Sequence, residues 1–110
     1  MPENEIDQEI ADYIHNYRRE QYMEILQNDD RFEVFMHLSP MRQGLFSWYD
    51  FHGNEELLEI GGQFGELTGL FCEKCRHVVT IEKSRIKSRA IFDRWKDKDN
   101  LEIFTNEKEI

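Results

Sequence analysis

Apolar residues recur at helical spacing through the first quarter of the chain. Eight of them mark one face, at Ile6, Ile10, Tyr13, Ile14, Tyr17, Tyr22, Ile25 and Leu26. A spacing of i, i+4, i+7 and i+8 places side chains on one side of an α-helix. The pattern therefore predicts a long amphipathic helix over about residues 4–27, with an acidic face toward solvent.

Two shorter helices are predicted before the middle of the chain. The run RFEVFMHL, residues 31–38, is ambiguous between a helical turn and a strand, and we favour a short helix. Next, Ser39 can cap free amides and Pro40 suits the first helical position. The residues that would then share a face are Met41, Leu45, Trp48 and Tyr49. This helix should end near Asp50, and residues 1–50 form a predicted N-terminal helical arm.

Three short apolar runs alternate with two helical patterns in the rest of the chain. The runs predict strands at Leu57–Ile60, Val78–Ile81 and Leu101–Phe104. The intervening helices are marked by apolar residues at Leu67, Leu70, Phe71 and Cys75, and at Ile86, Ala90, Ile91 and Trp95. Strands that are apolar at consecutive positions and alternate with helices are typical of a parallel sheet covered on both faces. Residues 51–110 are thus predicted to form an α/β unit with three parallel strands in the order 3-2-1.

The segment LLEIGGQFGELTG, residues 57–69, places four glycines directly after the first predicted strand. A loop between a parallel strand and the next helix presents helix amides to a ligand at the carboxyl edge of the sheet. A dinucleotide fingerprint that starts at Gly61 would need glycine at the positions of Gln63 and Glu66. A phosphate-binding loop would need Gly-Lys-Ser/Thr, which the sequence lacks. Both of these nucleotide-binding motifs are therefore excluded.

An acid-x-Gly-x-x-x-Gly pattern remains, formed by Glu59, Gly61 and Gly65, with Gly62 as an additional glycine. A second acid, Glu82, ends the second predicted strand 21 residues after Gly61. This separation suits a carboxylate that accepts hydrogen bonds from the two hydroxyls of a ribose. The alternatives are a turn that binds nothing and an acid that only stabilises the start of the next helix.

The segment LLEIGGQFGELTGLFCEKCRHVVTIEKS resembles the first motif, helix and second strand of class I S-adenosylmethionine-dependent methyltransferases. The flanking stretches HLSPMRQGLFSWYDF and WKDKDNLEIFTNEKEI extend the resemblance over about residues 37–110. They resemble a bacterial subgroup whose domains sometimes sit beside glycosyltransferases. The resemblance implies a Rossmann-like fold that binds S-adenosylmethionine, with Glu59, Gly61 and Gly65 near its methionine part and Glu82 on its ribose.

The chain departs from the family pattern in two ways. Gln63 stands where the family usually has glycine, and the glycine is displaced to Gly62. The sequence also stops after the third strand, whereas the family normally has seven strands and takes its catalytic residues from the later ones. We therefore expect the cofactor-binding half of the fold, no catalytic residues, and no methyl transfer by these 110 residues alone. A non-catalytic, self-associating module is the alternative function.

Charge and cysteine content bear on the partners, metal binding and location of the protein. The chain carries 14 basic and 23 acidic residues, a net charge of −9, so we expect no nucleic-acid partner even though residues 74–98 carry nine cations. Cys72, Cys75 and His77 are spaced like metal ligands, but a structural zinc site needs a fourth, so no metal is predicted. Two cysteines are too few for a disulfide framework, and no run is long enough to span a membrane. A cytoplasmic location is expected.

The last expectation concerns the first predicted strand, which we expect to pair with another chain. Leu57–Ile60 would form an edge of the sheet, and nothing nearby blunts it with proline or lysine. We therefore expect a homodimer that buries this edge or the face beside it.

Overall fold

A computed structural model describes residues 5–106 of the chain. The helices are α1 (Glu5–Asn16), α2 (Tyr22–Asn28), α3 (Phe32–Leu38), α4 (Thr68–Lys74) and α5 (Arg85–Trp95), with 3-10 turns at Arg19–Gln21 and Pro40–Phe46. The strands are β1 (Glu56–Ile60), β2 (His77–Ile81) and β3 (Leu101–Phe104). The predicted order of strands and helices in the second half is confirmed, and each strand lies within one residue of its predicted bounds.

The predicted long helix over residues 4–27 is wrong in one respect, because the helix is interrupted after α1. Residue 4 lies outside the described residues. Arg18 has extended backbone angles, and a 3-10 turn precedes α2. The cause is a contact distant in sequence. The Arg19 guanidinium lies 2.9 Å from the Asp97 carboxylate and 4.5 Å from the centre of the Trp95 ring. Helical periodicity continues across the break, so the pattern alone could not locate it.

Of the two shorter helices that the sequence predicts, one is confirmed and the other is not. Residues 32–38 form the predicted helix α3. After it, the Ser39 hydroxyl accepts a hydrogen bond from the Met41 amide at 3.2 Å, as a cap should. The segment that follows is nevertheless a 3-10 helix that ends at Phe46, and its predicted apolar face is exposed at Met41, Leu45, Trp48 and Tyr49. The predicted helix up to Asp50 is therefore wrong, and the four residues expected to share one of its faces are exposed.

The three strands form one parallel sheet in which β2 lies between β1 and β3. Leu57 pairs with Val78, and Val78 pairs with Leu101, so these three side chains share a face. The strand order predicted from the sequence and the α/β class are confirmed.

Helices α4 and α5 both pack on the face of the sheet that carries Leu57. On this face Leu57, Val78 and Leu101 contact Phe71 of α4. A side chain on Gly69 would overlap Trp95, with its Cβ 2.3 Å from the ring, so glycine lets α4 and α5 approach closely. Helix α1 packs on α5 rather than on the sheet.

Within residues 5–106, the second face of β1 is exposed and no helix covers it. Leu58 is 54% exposed and Ile60 is 76% exposed. We expected helices on both faces, and at β1 that expectation is not met. The physical reason is that helix α1 packs on α5 and leaves this face uncovered. We call the surface formed by Glu56, Leu58 and Ile60 the open face of β1.

Candidate functional site

The glycine loop between β1 and α4 has three residues in the left-handed region of backbone space. They are Gly61 at φ 74°, Gln63 at φ 56° and Gly65 at φ 80°. Glycine takes this conformation at no steric cost, whereas another residue is strained by roughly 1–2 kcal/mol. Gln63 stands where the resembling family has glycine, and its backbone conformation is one that glycine favours.

Glycine is needed at position 62 for a different reason, because the backbone there passes close to side chains of the sheet. A Cβ atom there would lie 2.6 Å from the Thr80 hydroxyl oxygen and 3.3 Å from a Glu59 oxygen. The loop therefore sits directly on the polar side chains of the sheet, and no larger residue fits without moving them.

Glu59 lies beneath the loop as part of a small hydrogen-bonded cluster. Its Oε1 accepts from the Thr68 hydroxyl at 2.6 Å and from the Thr80 hydroxyl at 2.9 Å. Burial raises the pKa of the Glu59 carboxyl above its ordinary value, and the two threonine hydrogen bonds oppose that shift. The cluster joins β1, β2 and α4 at the point where the loop begins.

Glu82 lies at the carboxyl end of β2, next to the glycine loop. Its Oε1 accepts from the Gln63 amide at 2.8 Å, and its Oε2 accepts from the Ser84 amide at 2.9 Å. The residue is only 6% exposed. The structure therefore brings the predicted glycines and the predicted second acid together at one edge of the sheet.

The Gln63 side chain turns toward α5. Its Oε1 accepts a hydrogen bond from the Lys87 ammonium at 3.0 Å, and the same ammonium lies 5.8 Å from the centre of the Phe64 ring. This contact offsets part of the strain of a left-handed glutamine.

A buried polar group beside the loop was missed by sequence reasoning. The Glu66 carboxylate lies 2.7 Å from His37 Nδ1 and 3.4 Å from the Arg42 guanidinium, and it accepts from the Phe64 amide at 3.1 Å. Arg94, also buried, donates to the carbonyls of His37 and Phe64. These contacts fasten α3 and α5 to the loop. Apart from the local contact between Phe64 and Glu66, the partners are 24 to 57 positions apart along the chain, so no local pattern indicates them.

The two cysteines are buried free thiols. Burial raises the pKa of Cys72 to about 11 and also raises that of Cys75, which disfavours the thiolate. Within residues 5–106, no group of three or more His, Cys, Asp or Glu side chains could hold a metal ion. None of the helices in that range is long and apolar enough to cross a membrane.

A comparison with solved structures finds a methyltransferase. The chain superposes on phosphoethanolamine N-methyltransferase 1 from Haemonchus contortus, in complex with phosphoethanolamine and S-adenosylhomocysteine, with a TM-score of 0.60 and 14% sequence identity. The match covers 84% of this chain and 22% of that protein, so the chain spans about a fifth of the methyltransferase. The similarity shows the fold: an open parallel sheet with helices, like that of a Rossmann-like methyltransferase.

Comparison of the sequence with known families and proteins identifies no family for this chain. No protein-family model matches the chain, and no curated protein matches it in sequence.

Proposed function

We propose that this chain is the cofactor-binding part of an S-adenosylmethionine-dependent methyltransferase-like domain. The observation that carries the proposal is the 2.8 Å hydrogen bond from the Gln63 amide to Glu82, which joins a left-handed glycine loop to an acid at the end of the next strand. The similar solved structure contains S-adenosylhomocysteine, which supports the same class of ligand here. The cofactor would lie across the carboxyl ends of β1 and β2.

The residues present fit such a ligand. Each Glu82 oxygen accepts one hydrogen bond from the backbone, and a carboxylate oxygen can accept two, so both retain capacity for a ribose hydroxyl. A Cβ on Gly61 would meet nothing within 4 Å, so the main chain at the end of β1 is open to close approach. Glu59 and Gly65 complete the proposed set, with Gly62, on the methionine side of the cofactor.

The chemistry that we propose for this chain is binding and orientation. When bound, S-adenosylmethionine supplies an activated methyl group for transfer to a nucleophile. Positioning of the reactants is the main contribution that a protein makes to such a reaction. We assign no catalytic residue among those described, and we expect no methyl transfer by this chain alone.

Calorimetric titration with S-adenosylmethionine and S-adenosylhomocysteine tests the proposal. We expect both ligands to bind, and we expect Glu82→Ala to weaken binding, because lost hydrogen bonds to a charged group cost about 1–3 kcal/mol, or about 5–150-fold in affinity. Glu102→Ala, at an exposed acid on β3, is the matched control and should bind like the wild type. Since Glu82 also accepts from two backbone amides, thermal unfolding must show that the variant is folded.

Absence of binding by the wild type to either ligand would contradict the proposed cofactor. Equal affinity of the wild type and a folded Glu82→Ala variant would remove Glu82 from the site.

Gln63→Gly is a second test that separates ligand binding from stability. Removing the side chain relieves about 1–2 kcal/mol of left-handed strain. It also loses the Lys87 hydrogen bond, worth about 0.5–1.5 kcal/mol, and adds about 0.5–1 kcal/mol of chain entropy to the unfolded state. We therefore expect little change in the free energy of unfolding, but tighter cofactor binding because glycine clears the loop. Weaker binding would indicate that the Gln63 side chain itself contacts the ligand.

A second candidate function is a non-catalytic, self-associating module. The exposed open face of β1 supports it. The resemblance to a subgroup found beside glycosyltransferases would place such a module in a glycosyltransferase system. A single confirmed methyl transfer by this chain would contradict this candidate, and binding of neither cofactor form together with self-association would favour it.

A further inference from the structure

His37 of α3 and Phe64 of the glycine loop are joined in three ways. The centres of their rings lie 4.8 Å apart. One oxygen of Glu66, Oε1, lies 2.7 Å from His37 Nδ1 and also accepts from the Phe64 amide at 3.1 Å. One nitrogen of Arg94, Nη1, donates to the carbonyls of His37 and Phe64, at 2.6 and 3.1 Å. We call Glu66 and Arg94 together the clamp, because each of them binds both residues.

The clamp is buried, and its two charges are opposite. Glu66 is 4% exposed and Arg94 is 5% exposed, while the Phe64 side chain that they flank is fully buried. Hydrogen bonds are electrostatically stronger in such surroundings than in water, and a buried charge that loses a partner is costly. The clamp therefore fixes the backbone of Phe64 more firmly than contacts on the surface would.

Phe64 directly follows the residue whose amide carries the proposed cofactor site. The Gln63 amide donates to Glu82 at 2.8 Å, while Gln63 itself is left-handed at φ 56°. A residue with a side chain keeps such a conformation only when the surrounding structure holds it there. Because Gln63 and Phe64 share a peptide unit, movement of Phe64 would also move the backbone that meets Glu82. The conformation of the loop at the site thus depends on what holds Phe64.

We propose that the N-terminal arm, acting through His37 and the clamp, holds the glycine loop in the conformation that binds the cofactor. Glu66 and Arg94 are positioning residues, because they act on the loop through Phe64. The effect on affinity rests on the proposed cofactor function. The effect on the loop does not, since it can be measured without a ligand.

The two oxygens of Glu66 predict unequal effects for its two partners on the arm. Oε1 serves both His37 and Phe64. Oε2 lies 3.4 Å from the Arg42 guanidinium, which is longer than an ordinary hydrogen bond. The Arg42 side chain is also 35% exposed, so water weakens the pair. We therefore expect loss of the His37 side chain to loosen the loop and loss of the Arg42 side chain to matter little.

A second contact between the arm and the α/β unit provides the matched comparison. The Arg19 guanidinium lies 2.9 Å from the Asp97 carboxylate, which follows α5. The described hydrogen bonds of the Asp97 side chain go to Arg19 and not to the glycine loop. Removing this carboxylate should weaken the docking of the arm and leave Phe64 in place. If the contacts served stability alone, changes at His37 and at Asp97 would have the same consequences.

Amide hydrogen exchange in the ligand-free chain tests the effect on the loop. The amides of β2 report the stability of the sheet, so exchange at Gln63 and Phe64 is measured relative to them. His37→Ala removes a partner of the clamp, and we expect both loop amides to exchange about 3- to 10-fold faster, as for the loss of one hydrogen bond. Asp97→Ala and Arg42→Ala should leave this ratio close to that of the wild type.

His37→Asn is the conservative variant that should rescue the loop. Its side-chain amide nitrogen lies as many bonds from Cα as His37 Nδ1 does, and it can donate to the same oxygen of Glu66. We expect its loop amides to exchange like those of the wild type. Variants of His37 are preferred to Glu66→Leu, because that change would leave the buried Arg94 without the nearby opposite charge and would test folding instead of positioning.

Calorimetric titration with S-adenosylhomocysteine measures the consequence for binding. When only a fraction of the molecules holds the binding conformation, the apparent Kd rises by the inverse of that fraction. We therefore expect His37→Ala to weaken binding by about 3- to 10-fold and His37→Asn to restore it. Asp97→Ala should bind like the wild type. Thermal unfolding must show that each variant is folded at the temperature of the titration.

The outcomes separate this proposal from the proposed function. Unchanged exchange at Phe64 in His37→Ala overturns control of the loop by the arm, whether or not the wild type binds a cofactor. Equal acceleration by His37→Ala and Asp97→Ala overturns the role of the clamp, and faster exchange with unchanged affinity overturns the link from the loop to the site. If the wild type binds neither form of the cofactor while the variants differ in exchange as expected, the proposed function fails and control of the loop by the arm stands.

Discussion

The two faces of β1 carry similar residues in opposite environments. On the covered face, Leu57 packs against α4 and Glu59 accepts hydrogen bonds from two threonines. On the open face, Leu58 and Ile60 are exposed to solvent. A strand in a three-layer α/β domain is buried on both sides. The apolar run LLEI has the pattern of a strand that is covered on both faces, but the described part of the chain covers only the face of Leu57.

The covered face should dominate the stability of the monomer, and Phe71→Ala is the change with the largest expected effect. Phe71 of α4 is buried in a cluster with Val78 of β2 and the aromatic residues Phe46 and Phe51. Truncating a buried phenylalanine costs about 3–5 kcal/mol. Urea unfolding should report a loss of that order. Ile60→Ser is the open-face counterpart, and it should cost less than about 0.5 kcal/mol.

A comparable loss in Ile60→Ser would contradict the comparison, because it would mean that Ile60 is buried.

The close approach of α4 and α5 provides a sharper test of the covered face. A Cβ at Gly69 would lie 2.3 Å from Trp95, and a ring held between two helices cannot move aside easily. Gly69→Ala should therefore destabilise by about 1–3 kcal/mol, although alanine favours helix by about 1 kcal/mol. Gly44→Ala is the matched control, since a Cβ there meets nothing within 4 Å. Thermal unfolding should show a lower midpoint for Gly69→Ala and an equal or higher midpoint for Gly44→Ala.

The sheet could be predicted from sequence because its signals are local. Each strand is a short apolar run between turn residues, and the acid Glu82 directly follows the second run, 21 residues after Gly61. The structure places Gly61, Gly62, Gly65 and Glu82 at one edge of the sheet, as predicted.

The remaining features depend on contacts between distant positions, and local patterns could not show them. The break after α1 depends on Arg19 meeting Asp97 and Trp95. The exposed face of residues 40–49 has the spacing of a buried one, and only the packed structure shows that nothing described covers it. Likewise, the sequence alone could not show that helix α1 packs on α5 and leaves the second face of β1 open.

The acid on the covered face gives the smallest expected effect, which is a dependence of stability on pH. Burial raises the pKa of Glu59 above its ordinary value of 4.5, so between these two pKa values the folded chain holds a proton that the unfolded chain has lost. This contribution to stability is fully present below pH 4.5 and is lost as the pH rises through the folded pKa. Glu59→Gln keeps an oxygen that accepts from Thr68 and Thr80 but cannot ionise. We therefore expect the stability of this variant relative to the wild type to increase as the pH is raised from 4.5 toward neutral. Urea unfolding at a series of pH values measures the difference, with Glu33→Gln as the control at an exposed acid. A difference that stays constant with pH would show that Glu59 titrates alike in the folded and unfolded chain, and the two faces of β1 would then not differ in their electrostatics.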